Sequence, residues 1–122
     1  FTWDPSVGSG AGRATGVKWG CFIQSHDVKA GGTYAVEADC LSRGASNPTL
    51  VVRWQTAEGR WTHESDDRTF VFRLGAGDWR SSFGVVTVPP GAGKLVILLN
   101  VTGQIAETDV CWFDNLSLYR VR

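Results

Sequence analysis

Tryptophan is the residue type that most equips this sequence to contact another molecule. The chain has six tryptophans in 122 residues, more than the core of one small domain needs. The face of an indole ring carries partial negative charge, which attracts the slightly positive C–H groups of a pyranose ring. Arginine, asparagine and glutamine side chains beside such a ring can form hydrogen bonds with sugar hydroxyls. These residue types point to carbohydrate as a ligand class.

Catalytic motifs are missing from the sequence. Its two histidines are His26 and His63, and His63 is followed by Glu64 without the second histidine that H-E-x-x-H requires. G-x-S-x-G is absent as well. A glycosidase would need a pair of carboxylates, and the nearest candidates fall in one predicted exposed turn, Glu58, Glu64, Asp66 and Asp67. We therefore expect no catalytic activity.

Charge and hydropathy exclude further classes of partner. Twelve basic residues balance twelve acidic ones, so neither nucleic acid nor an anionic membrane is an expected partner. The longest apolar run is residues 95–99, which is too short for a transmembrane helix or a signal peptide. The chain lacks Met and begins at Phe1, so we expect it to be an excised piece of a larger protein.

The elements that must position these side chains are predicted to be strands. Residues 33–41 alternate between apolar and polar side chains, and no stretch has the three-and-four spacing of an amphipathic helix. Glycine-rich turns such as GAGD and PPGAGK separate the runs, which fall at 17–25, 33–41, 49–56, 69–74, 79–88, 95–101 and the C-terminus. The prediction is one all-β domain over residues 1–122, a jelly-roll β-sandwich of two antiparallel sheets.

The closing segment, DVCWFDNLSLYRVR, predicts a β-bulge. Its apolar residues form two sets that are out of step by one position, Cys111 with Phe113 and Leu116 with Leu118. One extra residue at Asp114–Asn115 would turn both sets toward the core.

The cysteines leave two alternatives open. Cys21, Cys40 and Cys111 have no C-x-x-C spacing, which argues against a zinc site. Either all three are free buried thiols, or one disulfide forms, and Cys40–Cys111 is the pair to test first.

Trp61 is the leading candidate for stacking on a sugar, because it follows the AEGR turn at the rim of the sandwich. The alternative is that it packs under its own hairpin. Trp19 is a further candidate because it lies at a predicted strand start, but it shares a face with Cys21 and Ile23, which favours the alternative that it is in the core. Trp79 is also a candidate. Trp112 is expected to point away from the core, whereas Trp3 is either a loop lid or an anchor.

Polar partners for these rings follow from strand parity. Trp54 shares a face with Leu50 and Val52, which predicts that Trp54 is buried and that Arg53 and Gln55 point outward. Asn100 is the lone polar residue of LVILLNV, and we predict that it contacts a sugar too.

Three segments together resemble a known family. HDVKAGGTYAVEADCLSRG, DWRSSFGVVTVPPGAGKLVILLNV and DVCWFDNLSLYRV are similar to the β-sandwich carbohydrate-binding modules of the group containing families four, nine, sixteen and twenty-two. These modules share a V-x-x-G-x-x-Y strand start, a Trp opening a strand that ends in V-P-x-G-A, and a final aromatic-D-D/N-aliphatic-x-aliphatic strand. The resemblance covers residues 17–121. The family's first strand is not recognisable, and FTWDPSVGSGAGR stands in its place.

The resemblance implies a non-catalytic domain that holds polysaccharide or oligosaccharide near a catalytic domain of the same polypeptide. It implies a bacterial parent enzyme that is secreted or on the cell surface, and we expect a monomer. It also implies a structural Ca²⁺ with Asp114 as a ligand, and the glycine-rich loop carrying Asp4 is expected to supply further oxygens. The alternative is that Asp4 starts a turn before Pro5 and that Asp114 only bonds backbone N–H groups at the bulge. In the family, the tryptophan corresponding to Trp79 is chiefly structural. The alternative function is a spacer that packs on a catalytic domain and binds no sugar.

Overall fold

The structure is a computed structural model that describes residues 1–7, 10–74 and 78–122. Of Leu74 only the backbone is described. The described strands are β1 Thr2–Asp4, β2 Ala11–Thr15, β3 Trp19–Asp27, β4 Thr33–Arg43, β5 Asn47–Gln55, β6 Arg68–Val71, β7 Arg73–Leu74, β8 Arg80–Thr87, β9 Lys94–Thr102 and β10 Val110–Arg120. A short 3₁₀ helix spans Glu64–Asp66. Nothing in these three segments forms a helix of the length and apolar character needed to cross a membrane.

Two antiparallel sheets pack face to face. One has six strands in the order β1-β2-β10-β4-β8-β7, and the other has four in the order β3-β9-β5-β6. All the described pairings are antiparallel. The predicted all-β sandwich of two antiparallel sheets is therefore confirmed.

The core lies between the sheets and is built by strict alternation along the central strands. Leu50, Val52 and Trp54 of β5 point inward, and Trp54 is only 2% exposed. The Trp54 Nε1–H group donates a hydrogen bond to the Asp66 carbonyl at 2.9 Å. The prediction that Trp54 is buried is confirmed.

The predicted β-bulge in β10 is present. Asp114 pairs with Asp39 and Ser117 pairs with Glu37, so one extra residue lies on the β10 side. Asn115 takes a left-handed conformation with φ 54°, which asparagine tolerates better than most side chains. The shift turns both apolar sets toward the core, Cys111 and Phe113 before the bulge, Leu116 and Leu118 after it.

The N-terminal segment supplies two strands that the sequence pattern did not predict. β2 pairs with β10, and β1 adds to the outer edge of β2. The sequence of β2, AGRAT, lacks branched apolar residues at alternate positions. Its register depends instead on the close approach of Gly12 to a ring across the sandwich, because a Cβ atom there would lie 2.9 Å from Phe22 Cζ.

All three cysteines are free thiols in the structure. Cys40 and Cys111 are fully buried on adjacent strands and hydrogen-bond to each other. That hydrogen bond, together with burial, raises the pKa of the Cys40 thiol. Cys21 instead points to the outside of the four-stranded sheet, beside Asn100.

Candidate functional site

The outer side of the four-stranded sheet carries most of the side chains that the sequence singled out. Because residues alternate along a strand, the neighbours of the inward Leu50, Val52 and Trp54 point away from the core. We call this outward surface the four-strand face, and it comprises Trp19, Cys21, Ile23 and Ser25 of β3, Val96, Leu98 and Asn100 of β9, Thr49, Val51, Arg53 and Gln55 of β5, and the adjacent Trp61.

Five of the six predicted carbohydrate contacts lie on this face. They are Trp19, Arg53, Gln55, Trp61 and Asn100. Trp79 does not join them, because it is half-buried and immediately precedes β8 in the six-stranded sheet. The GAGD turn that precedes Trp79 falls largely on residues 75–77, which lie outside the described residues.

Trp61 is fixed in place by an arginine. An isolated bridge pairs it with Gln55, and Arg53 Cζ lies 4.0 Å from the centroid of the indole ring. Asp67 holds the same guanidinium, with Arg53 Nε 3.0 Å from Asp67 Oδ2. The Trp61 residue is still 44% exposed. A ring that is anchored on one side by a cation and open elsewhere has little side-chain entropy to lose when a ligand binds.

Trp19 marks the opposite corner of the four-strand face. It is the first residue of β3, lies across from Thr102 of β9, and is 71% exposed. The alternative that Trp19 lies in the core with Cys21 and Ile23 is therefore wrong, because Phe22 is the residue of β3 that packs inward. The segment just before it is tied down, because the Val17 N–H group donates to Gln104 Oε1 at 2.8 Å. Gln104 is 1% exposed and also donates to the Ala14 carbonyl. The chain that leads into Trp19 is therefore held by hydrogen bonds to a buried side chain, and the ring itself is open to solvent.

The registers of the sheet place the two rings far apart. Trp19 is level with Asn47 at one end of β5, and Trp61 is beside Gln55 at the other end. At about 3.4 Å per residue and 4.8 Å per strand, this diagonal is roughly 30 Å. A ligand that contacts both rings must be a chain rather than a single sugar ring.

The middle of the four-strand face is apolar with one polar exception. Val51, Val96 and Leu98 form a small buried cluster. Asn100 lies beside this cluster, and its Oδ1 atom is buried without a hydrogen-bond partner among the described residues. Since a buried carbonyl oxygen is normally paired, the Asn100 amide would gain a hydrogen bond from a ligand hydroxyl, but only after the side chains that cover its oxygen move aside.

A buried carboxylate, that of Asp109, holds together the loops that follow Gln104 and precede Ser46. Asp109 accepts hydrogen bonds from the backbone N–H groups of Ala45, Ile105 and Ala106 at 2.8–2.9 Å. These three bonds hold the pKa of Asp109 below its usual value of 3.8. The ionised form is thus the one that the fold requires.

Asp109 predicts a specific acid sensitivity. Because its pKa is lower folded than unfolded, its stabilisation is present above about pH 4 and is lost as the pH falls through the folded pKa. Asp109→Asn should lower the melting temperature at pH 7 by roughly 5 °C or more, and the gap to the wild type should close as the pH falls toward 2. Thermal melts across this range test it, with the exposed Glu107→Gln as the matched control. A gap of constant size would show that ionisation of Asp109 is unimportant.

The two predicted metal ligands lie on the six-stranded sheet. Asp4 already accepts three hydrogen bonds, from Ser6 N–H, Ser6 Oγ–H and Trp112 Nε1–H. These bonds, those from Ser6 first, lower the pKa of Asp4. Asp114 Oδ1 accepts the Asn115 N–H group at 2.8 Å. Across residues 1–7, 10–74 and 78–122, no group of three or more His, Cys, Asp or Glu side chains is arranged to hold a metal. These side chains alone therefore fall short of the six to eight oxygens that Ca²⁺ takes.

Three of the titratable side chains considered for catalysis, His26, His63 and Asp67, have hydrogen-bond or ion-pair partners. His26 Nε2 is 2.8 Å from Gln24 Oε1, and His63 caps the 3₁₀ helix by accepting the Ser65 N–H group. The acidic turn is less free than a solvated loop, because Asp67 pairs with Arg53 and the Asp66 carbonyl accepts the Trp54 indole. Asp67 is the residue of the site that sequence reasoning missed. Asp67 lies between two other charged residues, Asp66 and Arg68. No feature of the sequence indicates which of the charged side chains in this turn pairs with Arg53.

Known proteins share this architecture without close sequence similarity. No protein-family model matches the sequence, and no curated protein matches it. Among solved structures, a family 16 carbohydrate-binding module has a TM-score of 0.65 at 18% identity over 96% of this chain and 83% of that one. TmCBM61 in complex with β-1,4-galactotriose has a TM-score of 0.56 at 18% identity, over 93% and 72%. The fold is that of the β-sandwich carbohydrate-binding modules.

One larger protein contains the same fold as a small part. The enzymatically active domain of tailspike protein 4 from bacteriophage CBA120 has a TM-score of 0.74 at 16% identity and matches 97% of this chain, which spans 16% of that structure's length. The likeness to family 16 agrees with the resemblance seen in the sequence motifs. At these identities the similarity concerns the fold.

Proposed function

We propose that this domain binds carbohydrate without catalysis, through the four-strand face. The observation that carries the proposal is the common orientation of two exposed indoles and three polar side chains on one sheet surface. Trp19 and Trp61 stack on pyranose rings, while Arg53, Gln55 and Asn100 take hydroxyls. The carbohydrate-binding modules among the structural matches support this class of ligand.

The chemistry of the face sets the strength and form of binding. Asp67 binds Nε of Arg53, and the two terminal nitrogens of the guanidinium are further donors for sugar hydroxyls. An open surface of this kind gives dissociation constants on the order of micromolar to millimolar. Polymers should bind more tightly than short sugars, since a long chain reaches both rings at once.

A panel titration tests the proposal directly. Intact protein is titrated with soluble polysaccharides and with oligosaccharides including β-1,4-galactotriose, and tryptophan fluorescence is followed. Quenching or a blue shift that saturates with at least one glycan is the expected result. A folded protein that responds to none of a broad panel would overturn the proposal.

The presence of polar side chains beside exposed tryptophan rings favours sugar binding over a spacer role. A spacer needs an apolar surface without hydroxyl-binding groups, whereas Trp19 and Trp61 are exposed and Trp61 is bordered by Arg53 and Gln55. An exposed apolar group does exist on the outside of the six-stranded sheet, formed by Phe83, Val85 and Tyr119. It lies on the opposite side of the sandwich, so it does not compete with the four-strand face.

We further propose that the domain belongs to a secreted or cell-surface bacterial enzyme and acts as a monomeric module that keeps a catalytic domain of the same polypeptide close to its glycan. Tethering makes weak binding useful because it raises the effective concentration of substrate. The sequence of the parent gene tests this, and a glycan-active catalytic domain in the same reading frame is expected. A parent protein without one would contradict it.

Calcium remains a proposal that rests on the family resemblance. If Ca²⁺ is held by Asp114 together with backbone oxygens and the Asp4 loop, EDTA should lower the melting temperature, because the ion stabilises only the folded state. Adding back excess Ca²⁺ should restore it, and Mg²⁺ should not. An identical melt with and without EDTA would remove the ion from the account.

A further inference from the structure

A blind cleft opens between the two sheets, on the side of the sandwich away from Trp61. Its volume is about 380 Å³, and its lining includes Trp3, Phe22, Gln24, Leu99, Phe113 and Leu116. From these residues and their arrangement we infer that this cleft is a second carbohydrate site, which takes the terminal sugar of a chain. The inference rests on the proposed function, because it assigns a second contact to the same class of ligand.

The cleft exists because the sheets differ in width. Phe22 of β3 packs against Gly12 of β2, and Phe70 of β6 packs against Gly84 of β8. The four strands therefore cover β2 to β8, and β1 extends beyond the edge of the opposing sheet. Trp3 lies on this uncovered strand and is 67% exposed.

Two glycines shape the walls. A Cβ atom on Gly10 would overlap the Trp3 indole, and one on Gly12 would press on the Phe22 ring. Both rings thus lie close against backbone, where any larger residue would displace them. The Phe22 ring is further held by edge-to-face contacts with Phe1 at 4.6 Å and Phe113 at 6.0 Å between centroids.

The distribution of polarity fits a sugar ring at a chain end. The floor is closed by core residues, Ile97, Leu99 and Phe113, so a chain cannot pass through. The volume is at the small end for ligand sites, which suits one ring. The exposed indole of Trp3 offers a stacking surface, and the polar groups that line the cleft are Thr2, Gln24 and Asp114.

The six indole N–H groups make the two sites separable in one experiment. A ¹H–¹⁵N spectrum of the protein is recorded with methyl glycosides of glucose, galactose, mannose and xylose at tens of millimolar, and separately with a polysaccharide. We expect one glycoside to move the Trp3 indole signal and the Gly10 and Gly12 amides, with Trp19 and Trp61 unmoved. If none of the four glycosides shifts the Trp3 indole signal, the inference is overturned.

Three variants complete the test. Trp3→Ala should weaken binding of that glycoside at least tenfold and leave polysaccharide binding on the four-strand face unchanged, whereas Trp19→Ala should do the reverse. Gln24→Ala, in an exposed side chain, should weaken the glycoside several-fold. Unchanged glycoside affinity in Trp3→Ala and Gln24→Ala would overturn the second site. If polysaccharide does not shift the indole signals of Trp19 and Trp61, that result counts against the proposed function instead. Failure of the second site and failure of the proposed function are therefore distinguishable.

Discussion

Trp54→Ala should lower the free energy of unfolding by about 3–5 kcal/mol, the range for deleting a large aromatic side chain from a packed core. Trp54 is 2% exposed, and its indole N–H group also supports the Asp66 carbonyl, so the variant loses packing and a hydrogen bond together. Urea denaturation followed by circular dichroism measures the change. Trp54→Phe should lose less, since most of the volume remains.

The matched control for this variant is Trp19→Ala, which removes the same side chain from a position that is 71% exposed. Its unfolding free energy should change by less than about 1 kcal/mol. Similar losses in the two variants would mean that the inward and outward faces of the four-stranded sheet have been assigned the wrong way round.

Trp61→Ala should abolish retention by the glycan in affinity electrophoresis, which corresponds to a loss in affinity of roughly tenfold or more. The ring is exposed and contributes to stability mainly through the contact with Arg53, so unfolding should shift by only about 1 kcal/mol or less. The variant used for the gel should therefore have a melting curve close to that of the wild type, which shows that lost retention is not caused by unfolding.

Phe83→Ala is the control for retention. Phe83 is 56% exposed on the opposite sheet, so its removal deletes an aromatic ring of comparable exposure without touching the four-strand face. Retention should be unchanged. Loss of retention in Phe83→Ala but not in Trp61→Ala would move the binding surface to the six-stranded sheet.

Alternation and turn chemistry predicted the main strands and the faces of β5 and β10, but not that of β3, where the side of Trp19, Cys21 and Ile23 faces outward rather than into the core. The outward orientation of Arg53 and Gln55 followed from the inward orientation of Leu50, Val52 and Trp54. Successive side chains of a strand point to opposite faces, so once one residue is placed in the core, the orientation of the others is fixed. The bulge in β10 was predictable for the same reason. Two apolar sets out of step by one residue cannot both reach the core of a regular strand.

The N-terminal strands were not predictable by that reasoning. β2 is small and glycine-containing, and its pairing partner, β10, is almost a hundred residues further along the chain. Its position depends on a ring from the other sheet, Phe22, which needs the space that Gly12 leaves. A local pattern has no means of encoding such a contact.

The composition of the site was predicted better than its internal contacts. Exposed tryptophans and outward polar residues were expected, but the pairing of Asp67 with Arg53, and of Arg53 with the Trp61 ring, depends on how the turn after β5 folds back. Trp79 was a candidate through its resemblance to the family's Trp before V-P-x-G-A, which is chiefly structural. The strand that it precedes, β8, belongs to the other sheet.

The most direct test is a crystal structure of the domain with the glycan that the panel titration selects. We expect the glycan to lie across the outside of β3, β9 and β5, with pyranose rings stacked on Trp19 and Trp61 and a hydroxyl within hydrogen-bond distance of the Asn100 amide. A bound glycan that touches neither indole, or that occupies only the six-stranded sheet, would contradict the account.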